Sequence, residues 1–259
     1  MSQENYKVWF KGDGYADRLY RRATGELDEM ESSKSLCAVL SPLYQPGMKV
    51  LDVGCGPGHY LRSLRSRLDE GIDYTGMDAT EAYVDLAKRA FPDQEEKFRV
   101  GDIYDLPFEG LSYDIVTCSN LILHLPPPPS KPLSELIRVS KGHVVIRTLI
   151  GQGNYVIKEM VSPDELKGLP YPEEEGVGPD GKVEFHLLSF INMYTEKYIR
   201  DTVRNLDPKI KIRIEPDKKW EPFDNTSFAG STGTTVIGDK QVAGNLIYDW
   251  NFIILNVIS

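Results

Sequence analysis

The run Val50-Leu51-Asp52-Val53-Gly54-Cys55-Gly56-Pro57-Gly58-His59-Tyr60 constrains the chain more than any other. An apolar strand delivers an acidic residue and then three glycines spaced by two, the pattern of a strand ending in a nucleotide-cofactor loop. Glycine lets the backbone take φ > 0 and approach a ligand closely, and the helix that follows, about Tyr60 to Leu68, aims its first N–H groups above the turn. The spacing then selects the ligand. A dinucleotide loop needs G-x-G-x-x-G for a pyrophosphate, and here the third position falls on His59, a bulky side chain where helix and strand must pack closely. Pyrophosphate binding, and with it a nicotinamide oxidoreductase, is disfavoured.

At 259 residues the chain is long enough for one large α/β domain with an insertion, the preferred reading, or for two small domains, and 41% apolar with 27% charged residues is ordinary for an enzyme with a sizeable core. No apolar run nears the ~20 residues of a membrane span, so no membrane association is expected. The first residues, MSQENYKVWFKGDG, lack a basic stretch followed by an apolar one, which predicts no secretory signal and makes the cytoplasm the default address. Cys37, Cys55 and Cys118 are isolated and odd in number, reading as reduced thiols rather than metal ligands, and no metal site is expected. A formal net charge of -9 disfavours a nucleic-acid partner and fits a small molecule better. The Arg62/Arg65/Arg67 cluster reads as a solvated helix face rather than a binding patch.

Periodicity orders the elements. Residues 14–44 hold helical spacing with Met30, Leu36, Val39, Leu40 and Leu43 inward, one or two helices ahead of the sheet. Strands follow at Lys49 to Val53, Tyr74 to Met77, Lys97 to Val100 and Tyr113 to Cys118, with helices from Glu81 to Phe91 and Leu133 to Val139. A Lys141-Gly142 turn and a fifth strand, His143 to Leu149, come next. Residues 151–193 are rich in Gly, Pro and acidic residues with no clear strand, predicting an insertion beside the site. The rhythm returns with a helix at Thr195 to Leu206, a strand at Ile210 to Ile214, a hairpin around Gly238-Asp239-Lys240, and a last strand at Tyr248 to Ile258. Alternating βα units predict a doubly wound, mostly parallel seven-stranded sheet with ligands at the carboxyl ends of its strands.

The string Asp52-Val53-Gly54-Cys55-Gly56-Pro57-Gly58, with Asp78 closing the second strand and Asp102 after the third, resembles motif I and its companions in the class I S-adenosylmethionine (SAM)-dependent methyltransferases. The resemblance covers about residues 45–150 well and the last 65 more loosely, and the segment Ser119-Asn120-Leu121-Ile122-Leu123-His124-Leu125-Pro126 resembles in particular the small-molecule, quinone-biosynthesis-like branch. It implies a Rossmann-like fold whose last strand is antiparallel, a helical lid at 1–44, and a methyltransferase domain at 45–259 with 151–193 as a substrate-side insertion. It also implies SAM as cofactor. SAM offers a ribose diol, an adenine amino group, an amino-acid end and a sulfonium. By the family pattern Asp78, with its neighbour Ala79, would take the ribose hydroxyls, Asp102 would accept from the adenine amino group, and Ile103 would press on the adenine face. Gly54, Cys55, Gly56 and Gly58 would bring the loop backbone to the methionine moiety, and Asp52 would orient the loop and the ammonium. Each Asp taken alone also reads as a turn or cap residue. Met77 reads as pocket wall or as core filler.

After the fourth strand, Ser119 and Asn120 would lie near the methionine end. His124 is a candidate general base for a hydroxyl or amine acceptor, and equally a residue that packs the following segment. A base is not obligatory, because in-line displacement from a sulfonium draws much of its rate from alignment. The [DNS]-P-P-[YFW] signature of adenine- or glutamine-N methylation is absent, as is the Pro-Cys pair of cytosine-C5 enzymes. For a small-molecule acceptor, candidate contacts are Tyr6, Trp9, Phe10 and Tyr15 before the sheet, Arg147 on the fifth strand, and Tyr155, Tyr171, His186 and Tyr194 around the insertion. Methylation of a protein or structured RNA, or SAM binding without turnover, stays open at this point, as does the oligomeric state.

Overall fold

Val50, Leu51, Asp52 and Val53 are at most 1% exposed because strand β1 (Lys49–Val53) lies mid-sheet with helices on both faces. The computed structural model describes residues 14–160, 188–217, 235–237, 240–243 and 246–257. Helices α1 (Tyr15–Thr24) and α2 (Glu31–Leu40) precede β1, and α3 (His59–Arg67) leads to β2 (Asp73–Asp78). After α4 (Glu81–Ala90) come β3 (Phe98–Val100), β4 (Tyr113–Ser119), α5 (Ser130–Val139) and β5 (Ser140–Gly151). A hairpin of β6 (Tyr155–Met160) and β7 (Leu188–Met193) is followed by α6 (Glu196–Leu206), β8 (Lys211–Pro216), β9 (Thr235–Ile237), β10 (Lys240–Ala243) and β11 (Leu246–Asn256).

The seven expected strands run β3-β2-β1-β4-β5-β11-β8. The first five are parallel, and β11 is antiparallel to both neighbours. This is the Rossmann-like, doubly wound sheet expected of a class I methyltransferase. The late hairpin extends it further than expected, since Leu246 to Tyr248 of β11 pair with β10, and β10 with β9. Alternate residues of the inner strands feed two cores. Val50, Tyr74 and Ile115 pack under α2, α3 and α4, while Leu51, Val116 and Ile146 pack under α5 and α6. From β1 the chain winds to β2 and β3 on one side and then crosses to β4 on the other, which opens a crevice at the carboxyl ends of β1 and β4.

Three sequence readings need correction. Helix α5 starts at Ser130 rather than Leu133, because Pro132 sits in a first turn that needs no N–H from it. The Lys141-Gly142 turn does not form, and β5 runs through it. A Cβ at Gly142 would press on the Asp114 carbonyl oxygen where the β4–β5 register is irregular, so this glycine serves close approach instead. The insertion is not strandless, since β6 and β7 pair antiparallel from Tyr155↔Met193 to Met160↔Leu188. Its two ends meet: Gly151 N donates to Tyr194 O at 3.1 Å, and Thr195 N to Asn154 Oδ1 at 2.7 Å.

The arginine cluster is also less solvated than its spacing suggests. Arg62 Nη1 donates to the carbonyls of Arg22 (3.0 Å) and Leu27 (2.7 Å), fastening α1 and its following turn to α3, while Arg65 pairs with Asp93 and Arg67 with Glu29. No helix among the described residues is long and apolar enough to cross a membrane, and no metal-holding cluster of His, Cys, Asp and Glu occurs among them. The three cysteines are buried and free.

Candidate active site

A cavity of about 170 Å³ opens at the crevice, walled by the glycine loop, the ends of β2 and β4, the turn after β3, and α1 from above. At its base the loop folds back on β2, with Gly54 N and Cys55 N both donating to the Met77 carbonyl at 2.7 and 3.0 Å. Gly56 and Gly58 have φ of +52° and +80°, where other residues are strained. A Cβ on Gly56 would find nothing nearer than 3.8 Å, whereas one on Gly58 would lie 2.9 Å from Phe91 Cε2. Gly56 therefore lines the cavity and leaves room there, while Gly58 lets α3 close down on the aromatic pair Phe91 and Phe98.

Asp78 closes β2 with both oxygens anchored: Oδ2 accepts from Gly56 N at 2.9 Å and Oδ1 from Thr80 N at 2.8 Å. Burial raises its pKa, opposed by those two donors. Asp102 Oδ1 accepts from Tyr104 N at 2.9 Å, an Asx turn that puts Asp102 and Ile103 in the wall. Asp52, Cys55 and Gly58 lie outside the lining. Asp52 is 1% exposed and accepts from Tyr74 Oη and Thr117 Oγ1, both at 2.9 Å. Burial pushes its carboxyl up to about 6 against the pull of those hydroxyls. It stands behind the loop, bracing β2 and β4 against β1.

Gly54, Gly56, Asp78, Ala79, Asp102, Ile103, Ser119, Asn120, Tyr15 and His124 all line the cavity, and so does Met77. Arg147 does not. It is 5% exposed, donating Nε to Asp217 Oδ2 at 2.7 Å and Nη1 to Asn120 Oδ1 at 2.6 Å, with its guanidinium 4.1 Å above the Trp250 ring. The expected substrate contact is thus a buried brace behind Asn120. Tyr155 is 41% exposed and outside the lining, and Tyr194 is buried and stacked on Tyr198. Tyr6, Trp9, Phe10, Tyr171 and His186 fall outside the described residues.

His124 ends a short 3-10 turn, Ile122–His124, and its Nδ1 lies 2.8 Å from the Phe190 carbonyl oxygen on β7. The next residue is gripped by the same strand, Asn192 Nδ2 donating to Leu125 O at 2.6 Å. Sequence reasoning missed several wall residues, among them Met30, His59, Tyr83 and Tyr104. The signal for His59 and Tyr104 was adjacency, since each follows a motif residue closely. Met30 and Tyr83 reach the cavity only through packing of α2 and α4. Burial holds His59 neutral, its pKa pushed down to about 3 with help from nearby Arg22, and its Nδ1 has no hydrogen-bond partner among the described residues.

The model of a family described as "Methyltransferase domain" matches residues 50–142, the stretch from β1 into β5. Over this stretch the chain is similar to a methyltransferase domain. Over 135 residues it is 33% identical to an uncharacterized methyltransferase of Schizosaccharomyces pombe, covering 49% of this chain and 44% of that one. A ubiquinone biosynthesis O-methyltransferase of Acinetobacter baylyi is 37% identical over 111 residues, 40% of this chain and 44% of the other. The matched part therefore spans less than half the length of these relatives. The crystal structure of magnesium protoporphyrin IX methyltransferase from Synechocystis PCC 6803 with bound SAM superposes with a TM-score of 0.56 at 16% identity, covering 99% of this chain and 98% of that one. That likeness is one of fold alone.

Proposed function

We propose that the chain transfers a methyl group from SAM to an oxygen or nitrogen of a small-molecule acceptor. The observation that carries this reading is the junction of Asp78 with Gly56. A carboxylate at the end of β2 is tied to the glycine-loop backbone and faces the same cavity as Asp102 and Ile103. The donor set fits the group: two carboxylates offer acceptors for a ribose diol and an adenine amine, Ile103 and Met77 offer an apolar wall for the ring, and the open side of Gly56 offers room for the amino-acid end. When bound, SAM supplies an electrophilic sulfonium methyl, whose transfer forms the acceptor–CH3 bond, breaks the S–CH3 bond and leaves S-adenosylhomocysteine. The chain's own part is to hold and align. Asp78 and Asp102 fix the nucleoside, the left-handed Asn120 shapes the methionine end, and α1 forms part of the cavity wall through Tyr15 and Leu19. The small, partly apolar cavity and the ubiquinone-pathway relatives support a small acceptor over a macromolecule.

Calorimetric titration with S-adenosylhomocysteine and with NAD, repeated on Asp78→Ala, tests this. Binding of the former alone, lost in the variant, is the expected result and licenses a screen of small acceptors with labelled SAM. Folded protein that binds neither overturns the reading.

A further inference from the structure

A guanidinium can only donate, so the Asn120 side-chain atom 2.6 Å from Arg147 Nη1 is the amide oxygen, and the amide is fixed in one of its two orientations. A flip would set Nδ2 against the guanidinium, donor against donor. Arg147 cannot move aside to allow one, being held by Asp217 Oδ2 at 2.7 Å and by the Trp250 ring 4.1 Å away. Nδ2 branches away from the bonded oxygen and has no hydrogen-bond partner among the described residues. Arg147 is 5% exposed and outside the cavity, whereas Asn120 is half-buried and lines it.

The cavity has a use for such a donor. Its lining holds two carboxylates, Asp78 and Asp102, and no Lys or Arg among the described residues. An anionic end of a ligand must be met there by neutral donors, and an amide whose oxygen receives a bond from a guanidinium is the stronger donor for it. A buried ion pair, moreover, adds little stability over apolar residues of similar volume. Orienting a neighbouring amide is a task that apolar residues cannot perform.

We propose that the Arg147–Asp217 pair locks the Asn120 amide with Nδ2 presented to the cavity, where it donates to the carboxylate at the amino-acid end of the cofactor. Asn120 is then a binding residue, and Arg147 and Asp217 are positioning residues that act through it. This rests on the methyltransferase reading above.

The test is calorimetry on the full chain with S-adenosylhomocysteine, with the same molecule lacking its carboxylate, and with methylthioadenosine, which lacks the whole amino-acid end. In the wild type, loss of the carboxylate alone is expected to weaken binding by about tenfold or more, and equal affinity overturns the proposal without need of a variant. Asn120→Asp keeps the shape, tolerates the left-handed φ and still accepts from Arg147, but turns the donor into an acceptor. It is expected to lose about tenfold or more in S-adenosylhomocysteine affinity and to bind methylthioadenosine as the wild type does. An unchanged or higher S-adenosylhomocysteine affinity, or an equal loss of both ligands, overturns the proposal. Arg147→Met/Asp217→Leu frees the amide while leaving Asn120 in place, and the same selective loss is expected. Unchanged S-adenosylhomocysteine affinity in the folded double variant overturns the role given to the pair. The two readings stay distinguishable: wild type that binds all three ligands equally sinks this inference alone, and folded wild type that binds none of them sinks the proposed function.

Discussion

Asn120 and Arg147 are bonded twice, the Asn120 N–H donating to the Arg147 carbonyl at 2.9 Å and Arg147 Nη1 returning a bond to Asn120 Oδ1 at 2.6 Å. Both bonds fix its left-handed φ of +58°, a region that Asn enters more readily than other non-glycine residues. Arg147 is held in turn by Asp217 and the Trp250 ring, so the geometry at the cavity's edge depends on a buried ion pair behind it.

Replacing Arg147 by Met takes the guanidinium from a carboxylate whose side chain is only 2% exposed. Losing one partner of such a pair costs roughly 3–5 kcal/mol, and an apolar replacement of both restores most of it. Urea unfolding should show that loss in Arg147→Met and recovery in Arg147→Met/Asp217→Leu. A cost below about 1 kcal/mol in the single variant would refute the brace.

Two glycines of one motif should fail differently. Gly58→Ala puts a methyl 2.9 Å from Phe91 at φ +80° and should destabilise by about 2–3 kcal/mol, leaving S-adenosylhomocysteine affinity in the folded fraction nearly unchanged. Gly56→Ala meets no protein atom within 3.8 Å. It should cost about 1 kcal/mol of stability but weaken the ligand strongly, since the methyl enters its space. Denaturation and calorimetry on both variants check the order, and the reverse pattern would show that Gly58, not Gly56, approaches the ligand.

Asp78→Asn removes the charge that receives Gly56 N–H and faces the cavity. Hydrogen bonds to charged groups are worth about 1.5–3 kcal/mol, so the dissociation constant for S-adenosylhomocysteine should rise roughly 10- to 100-fold. Calorimetry reading less than a threefold change would remove Asp78 from the ligand contacts.

Two groups with shifted pKa values, buried Asp52 and half-buried His59, should oppose each other in acid. Asp52 titrates at about 6 rather than 3.8, so the native chain holds a proton that the unfolded chain releases, and this stabilisation is lost as pH rises through about 6. His59 titrates at about 3 rather than 6.5, so the unfolded chain takes a proton that the native chain refuses, and stability is lost as pH falls from 6.5. Between about pH 4 and 6 each contributes a slope of up to about 1.4 kcal/mol per pH unit, with opposite signs. Relative to wild type, Asp52→Asn should lose stability on acidification across that window and His59→Gln should gain it. Urea midpoints at several pH values decide this, and parallel profiles for all three proteins would show that neither group is perturbed.

The parallel half of the fold was readable because each βα unit announces itself locally. Strand β1 matched residue for residue, since an apolar run bounded by Lys49 and Gly54 leaves no other register. The site's carboxylates were readable for the same reason, sitting at strand ends. What could not be read depended on distant partners. Tyr155 and Val156 stay over 40% exposed, so β6 has no alternating pattern, and its partner β7 lies beyond 27 intervening residues. Gly142 looked like a turn because a sequence does not reveal that a neighbouring carbonyl occupies the place of its side chain. Arg147 looked like a substrate contact because its counter-charge, Asp217, is 70 residues away.

The excursion from β5 to α6 leaves and rejoins the chain at one point, where Gly151 meets Tyr194. The lining of the cavity is encoded between Tyr15 and Pro126, and the strand that grips His124 is encoded in the excursion. Closely spaced ends make such a stretch exchangeable, since a replacement of different length asks nothing new of the sheet. Exchange of that stretch would therefore replace the contact to His124 while the cavity's own lining stays unchanged.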